Sequence, residues 1–134
     1  SIFSDSYTDV SGTDFNPNWG QSTQVSTEDL NGNLVLKYAG LNYQGTAFAS
    51  PLDVSGYTSI HIDYWTADAT DLNFFLISTG PVETAKALDV SDLGVWRSVE
   101  IPLSDFSPVA LSDVIQFKVD GNGTVFFDNI YFKK

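Results

Sequence analysis

Fourteen aspartates, three glutamates and one histidine are the groups with which this 134-residue chain could do acid–base chemistry, and cysteine is absent. Glycoside hydrolysis needs two carboxyl groups flanking one bond. None of Glu28, Glu83 and Glu100 is paired with another acid at a recognised catalytic spacing. Asp63 and Asp68 are a conceivable pair, but both stand in ordinary strand and turn contexts. His61 is the sole histidine, which excludes a histidine-built metal cluster. A Ser-His-Asp arrangement would have to use it without a G-x-S-x-G elbow. Gly121-Asn122-Gly123 lacks the following Lys and helix of a phosphate-cradling loop. The missing cysteines rule out disulfides, zinc-thiolate sites and thiol nucleophiles. Asn122-Gly123-Thr124 matches a glycosylation sequon, but turn geometry explains the same residues.

Calcium is the better metal expectation, because hard cations take several oxygen ligands. Asp5, Asp9 and Asp128 flank the first and last strands, which are often neighbours in a jelly roll. Without an EF-hand loop the signal is diffuse, and a structural Ca²⁺ using some of these residues is set against plain surface charge.

Seventeen acidic against six basic residues give a net charge of -11 and a pI near 4.1. A field of that sign repels phosphate backbones and anionic lipid heads, and no basic cluster offsets it. Nucleic acid and membrane surfaces are therefore poor partners, as are sulfated or uronate-rich polymers. Neutral ligands and divalent cations fit. No run of eighteen apolar residues offers a membrane span. The opening SIFSDSYTDV is too acidic and polar for a signal peptide, and a start on Ser1 suggests a processed protein or a module cut from a longer chain.

The elements that must position these groups read as all-β. Aromatics make up 14% of the chain, and β-branched residues come in short runs. The expected strands are Ile2–Ser4, Gln21–Thr27, Asn33–Ala39, Gln44–Ser50, Ser59–Thr66, Leu72–Thr79, Thr84–Ala87, Trp96–Pro102, Val114–Asp120 and Thr124–Phe132. Turn chemistry separates them at Leu30-Asn31-Gly32-Asn33, Ser55-Gly56, Thr79-Gly80-Pro81 and Asp120-Gly121-Asn122-Gly123. The last of these joins two alternating apolar runs and predicts a hairpin. About ten short antiparallel strands, with no linker, predict one β-sandwich over residues 1–134, a jelly roll. Leu52-Asp53-Val54-Ser55 echoes Leu88-Asp89-Val90-Ser91, too briefly for a structural repeat, and reads as one turn chemistry used twice.

In Ser59–Thr66, alternation puts Ile60, Ile62 and Tyr64 on one face and His61, Asp63 and Trp65 on the other. In Val114–Asp120 the outward residues are Gln116 and Lys118. Leu72–Thr79 is apolar on both faces except at Asn73, which predicts a central strand. A row of indole, carboxylate, imidazole and amide suits a sugar surface, because pyranose C–H faces stack on aromatic rings and hydroxyls pair with polar side chains. Read from the residues alone, the plainer account is a solvated sheet face whose Trp covers a sandwich edge. Trp19 and Tyr43, in Gly- and Asn-rich surroundings, could each be a stacking platform or a lid over the core. Trp96, Ser98 and Glu100 share a face of their strand.

The chain resembles the carbohydrate-binding modules attached to secreted polysaccharide-degrading enzymes, above all the β-sandwich group with families 4, 11 and 22. The matching elements span almost the whole sequence: Phe3-Ser4-Asp5-Ser6-Tyr7, then Leu52-Asp53-Val54-Ser55-Gly56-Tyr57 leading into Ser59-Ile60-His61-Ile62-Asp63-Tyr64-Trp65. Trp96-Arg97-Ser98-Val99-Glu100-Ile101-Pro102-Leu103-Ser104-Asp105-Phe106 and the closing Phe127-Asp128-Asn129-Ile130-Tyr131-Phe132 complete them. The stretches Ser4–Val10 and Asn16–Thr23 are similar to modules appended to glucanases of marine Bacteroidetes. The E-x-D-x-x-E strand signature of jelly-roll glucanases, which are catalytic, is absent: Ile-Pro-Leu-Ser-Asp follows Glu100. The resemblance implies non-catalytic binding of a polysaccharide, often a β-glucan, on the concave face of one sheet. It also implies a structural calcium near the chain ends, with Asp128 and Asp5 as ligands; Asp9 is added from its position. It further implies that a Trp opening the Trp96 strand can belong to the core.

The expectation is thus a monomeric, secreted or cell-surface bacterial module that binds a neutral β-glucan, with laminarin-type β-1,3-glucan first. It would hold an attached hydrolase or the cell surface close to substrate, an effective-concentration role without chemistry of its own. The ligand residues expected are Trp65, His61, Asp63, Trp19, Tyr43, Trp96 and Gln116. The alternatives are an adhesion or spacer β-sandwich, and a small jelly-roll lyase or hydrolase, to which the scarcity of Glu is the strongest objection.

Overall fold

A computed structural model describes residues 1–134 as two antiparallel sheets packed face to face. The nine strands are β1 Gln24–Leu30, β2 Asn33–Ala39, β3 Tyr43–Leu52, β4 Ser59–Thr66, β5 Leu72–Ser78, β6 Val82–Ala87, β7 Arg97–Pro102, β8 Val114–Gly121 and β9 Val125–Lys133. One sheet runs β1-β2-β9-β4-β7 and the other β3-β8-β5-β6. Leaving out β1, the orders β2-β9-β4-β7 and β3-β8-β5-β6 are those of a jelly roll. One turn of 3-10 helix, Leu103–Phe106, follows β7 and buries Leu103 and Phe106.

Alternation in the sequence becomes sidedness in the sheets. In β4, Ile60, Ile62, Tyr64 and Thr66 are buried, while His61, Asp63 and Trp65 lie on the outer face at intermediate exposure. β5 lies between β8 and β6 and contributes Leu72, Phe74 and Leu76 to the core, while Phe75 and Ile77 face the other side, Phe75 under the Lys118 ammonium. The inner faces meet in one core drawing on residues from Ile2 to Ile130. Truncating a fully buried ring such as Phe74 or Phe117 to alanine there costs about 3–5 kcal/mol.

The β1–β2 hairpin closes on Asn31 and Gly32 at φ 55° and 88°. Left-handed backbone at both central positions matches the twist of the flanking strands. The two echoed tetrapeptides do make the same turn: the Asp53 carboxylate accepts the Ser55 amide at 3.0 Å, and that of Asp89 the Ser91 amide at 2.8 Å.

Two expectations need correcting. Asp120-Gly121-Asn122-Gly123 does not close a hairpin, because β8 and β9 belong to different sheets. The segment is a crossover, locked to the β4–β5 connection by Asn122 N–H to the Asp71 carbonyl (3.2 Å) and Thr70 N–H to Asn122 Oδ1 (2.7 Å). Gly121 fits there because a Cβ would collide with the Asp71 backbone. Ile2–Ser4 is not a strand: only Phe3 forms a bridge, to Ile130.

Candidate functional site

An open cleft of about 540 Å³ lies on the outer face of the four-stranded sheet, walled by Trp19, Tyr43, Ile77, Pro81 and Gln116 among others. β8 supplies its polar ladder. Gln116, Lys118 and Asp120 are two residues apart and so point the same way. Lys118 Nζ sits 4.1 Å from the centroid of the Phe75 ring and pairs with Glu83 of β6 at 3.0 and 3.3 Å. Asp120 accepts a hydrogen bond from Asn73 Nδ2 at 2.9 Å.

The aromatic wall is built by a loop laid onto β3. Trp19 packs against Gly45, where any side chain would collide with the indole ring. Its backbone is held from two sides. Trp19 N–H donates to Gln21 Oε1 (2.8 Å), and the Tyr43 hydroxyl donates to the Trp19 carbonyl (2.8 Å). Gln21 in turn reaches the Pro17 carbonyl at 2.8 Å. Asn42, also in the wall, accepts from the Thr23 hydroxyl (2.9 Å) and the Tyr43 amide (2.8 Å), which ties the start of β3 to the end of the loop. The cleft therefore offers a fixed aromatic plane beside a row of amide, ammonium and carboxylate groups already set in place.

The residues expected from sequence divide between the two sheets. Trp19, Tyr43 and Gln116 meet in this cleft. Trp65 and Trp96 lie on the five-stranded sheet and line a separate hollow of about 270 Å³ with Glu28, Leu30 and Phe126. Trp96 is 46% exposed, so the core role open to a Trp at this position is excluded. His61 and Asp63 share Trp65's sheet and pair with each other: His61 Nε2 lies 2.7 Å from Asp63 Oδ1, while His61 Nδ1 is buried without a hydrogen-bond partner. The same carboxylate accepts the Ser98 hydroxyl and Asn129 Nδ2, and the imidazole stacks on Tyr131 with 4.7 Å between centroids. The Ser98 hydroxyl is directed at Asp63 and not at His61, so no serine–histidine pair forms. Near His61, Glu100 is held below the usual carboxylate range, mainly by its hydrogen bond from Lys133.

Of the three acids expected at a metal, two are hydrogen-bonded to neighbouring residues of β2. Asp5 accepts the Leu34 amide at 2.7 Å and Asp128 accepts Asn33 Nδ2 at 2.8 Å, on consecutive residues of β2. Asp9 instead accepts the Ser1 hydroxyl, and no group of three His, Cys, Asp or Glu side chains is gathered into a metal site.

Asn42, Ile77, Pro81, Glu83, Lys118 and Asp120 complete the cleft without having been expected there. Asp120 was within reach of the alternation that exposed Gln116 and Lys118. Glu83 and Pro81 depend on the pairing of β6 with β5, which the sequence does not specify.

No family model and no curated protein matches the sequence. Solved structures do share its fold. A family 11 carbohydrate-binding module from Clostridium thermocellum, in complex with a β-1,3-1,4-mixed-linked tetrasaccharide, superposes with a TM-score of 0.64 at 18% identity, covering 98% of this chain and 94% of that one. The family 30 module of a cellulosomal cellulase of Clostridium thermocellum gives 0.67 at 17% identity, covering 99% and 95%. An exo-β-agarase gives 0.67 at 18% identity, where the match covers 98% of this chain but 24% of the agarase. The chain has the jelly-roll fold of the β-sandwich carbohydrate-binding modules.

Proposed function

We propose that this protein is a non-catalytic polysaccharide-binding module whose cleft on the four-stranded sheet holds a segment of a neutral β-linked glucan. The observation carrying this reading is the Trp19 indole, seated on Gly45 beside the Gln116–Lys118–Asp120 ladder. A pyranose ring stacks its C–H face on such a plane and offers hydroxyls to the amides and carboxylates alongside. Glu83 and Asp120 are engaged with Lys118 and Asn73, which suits hydroxyl binding more than proton transfer. With only Lys118 as a cation in the wall, an anionic polymer would meet net negative charge. The mixed-linkage tetrasaccharide on a structural neighbour supports a β-glucan, and laminarin-type β-1,3-glucan and mixed-linkage glucan are the first polymers to test. Such a module acts outside the cell or at its surface, tethered to a hydrolase, where weak binding raises the effective concentration of substrate.

A structural calcium is proposed beside it. The Asp5 and Asp128 carboxylates are hard donors of the kind calcium takes, and the ion would tie the N-terminal segment to β9.

Affinity electrophoresis in gels of laminarin, mixed-linkage glucan, xylan, mannan, alginate and agarose tests the binding. Retardation in a neutral β-glucan gel is expected, with none in alginate. No retardation in any gel would favour an adhesion or spacer domain.

A further inference from the structure

The opposite sheet carries a second aromatic surface that the cleft does not use. Across the outer face of β2, β9 and β4, Lys37 Nζ lies 5.5 Å from the Phe126 centroid, and Phe126 meets Trp65 edge to face at 5.6 Å. Lys37 is paired with Glu28 of β1 at 2.9 Å. Trp96 also lines the hollow and is exposed, on a backbone segment held at both ends. The segment before it is held by Gly94 N–H to the Thr66 carbonyl at 2.8 Å. The residue after it, Arg97, reaches Asp89 and Asp92 at 2.9 and 3.1 Å.

We propose that the hollow between Trp65 and Trp96 is a second saccharide site, taking one or two pyranose units of a neutral polymer; its ligand class rests on the reading of the cleft. Two indoles provide stacking planes, and the Glu28–Lys37 pair at the rim provides both an acceptor and a donor for ring hydroxyls. At about 270 Å³ the hollow is half the cleft's size, too small for a peptide strand or helix but suited to a sugar ring. Beyond it the sheet face turns ionic through Asp63, Glu100 and Lys133. A second copy of this chain is disfavoured because each carries a net charge of -11. The two sites occupy opposite faces of the sandwich, so one short oligosaccharide cannot touch both. The module would bridge two polymer chains, or two stretches of one.

The chain has three tryptophans, one in the cleft and two in the hollow, so their indole N–H resonances report the two faces separately. Titration of the intact protein and of Trp96→Ala and Trp19→Ala with laminari- and mixed-linkage gluco-oligosaccharides tests the proposal. The expected result is a saturable shift of the Trp65 and Trp96 signals that survives Trp19→Ala, and a response at Trp65 weakened at least tenfold by Trp96→Ala. Shifts confined to Trp19 would overturn the second site and leave the cleft standing. Shifts confined to Trp65 and Trp96 would sustain the second site and remove the cleft. No shift at any indole would overturn both.

Discussion

The indole of Trp19 rests on Gly45 of β3, at a point where even a methyl group would overlap the ring. The contact joins an irregular loop to a regular strand and turns a mobile class of residue into a fixed plane. Gly45 does not have the left-handed backbone that would itself demand glycine, so what it supplies is space. Gly45→Ala should therefore fold with a stability within about 1 kcal/mol of the parent, yet lift Trp19 and weaken glucan retention about tenfold. Unfolding by denaturant and affinity electrophoresis on the same preparation separate the two effects. Retention equal to the parent's would show that the seated indole does not matter.

Removing the plane itself is more severe. Trp19→Ala should reduce β-glucan binding at the cleft by ten- to a hundredfold, the equivalent of about 1.4–2.8 kcal/mol. Tyr43→Phe keeps the second ring and deletes only the hydroxyl donating to the Trp19 carbonyl. It should cost about 1 kcal/mol of stability and a few-fold in binding, read by calorimetric titration.

Chelation tests the calcium. If the ion links Asp5 and Asp128, EDTA lowers the melting temperature and added calcium restores it. Asp128→Ala is then destabilised but no longer responds to EDTA. Equal melting temperatures with EDTA and with calcium would remove the ion. Asp128 would remain a buried carboxylate satisfied by Asn33 and the Asn129 amide.

Alkaline pH acts through Tyr38. Its phenol is fully buried, and loss of solvation pushes it up to about 12, with Thr46 offsetting slightly. A folded-state value above the ordinary one of about 10 means that the folded protein keeps a proton the unfolded chain gives up. Stability from this group is whole below about pH 10 and declines toward pH 12, by on the order of 3 kcal/mol. Tyr38→Phe preserves the ring contact with Phe127 and should flatten that decline, as followed by urea midpoints between pH 9 and 12.

Much of the sheet architecture was readable because the buried face of a half-buried strand repeats every second residue. Ser59–Thr66 alternates as expected, and both it and Asn33–Ala39, set off by the Asn31-Gly32 turn, begin and end where the sequence predicts. The β8–β9 crossover was misread for a physical reason. Gly121-Asn122-Gly123 has the composition of a tight turn, and composition does not say whether the next strand returns to its neighbour or passes to the other sheet. The Asn122 contacts with Asp71 and Thr70, some fifty residues away, decide that.

The residue types by themselves determined the chemistry open to this chain: no thiol, no histidine cluster, few glutamates and a charge of -11. They also placed Trp65 on the same strand face as His61 and Asp63. Tertiary structure alone decided which aromatic rings share a surface. Trp65 and Trp19 look alike as exposed aromatics in sequence, but β4 and β3 fold into opposite sheets. The reason is that alternation tells inside from outside within a strand, while the assignment of strands to sheets depends on long-range pairing and on packing of the common core.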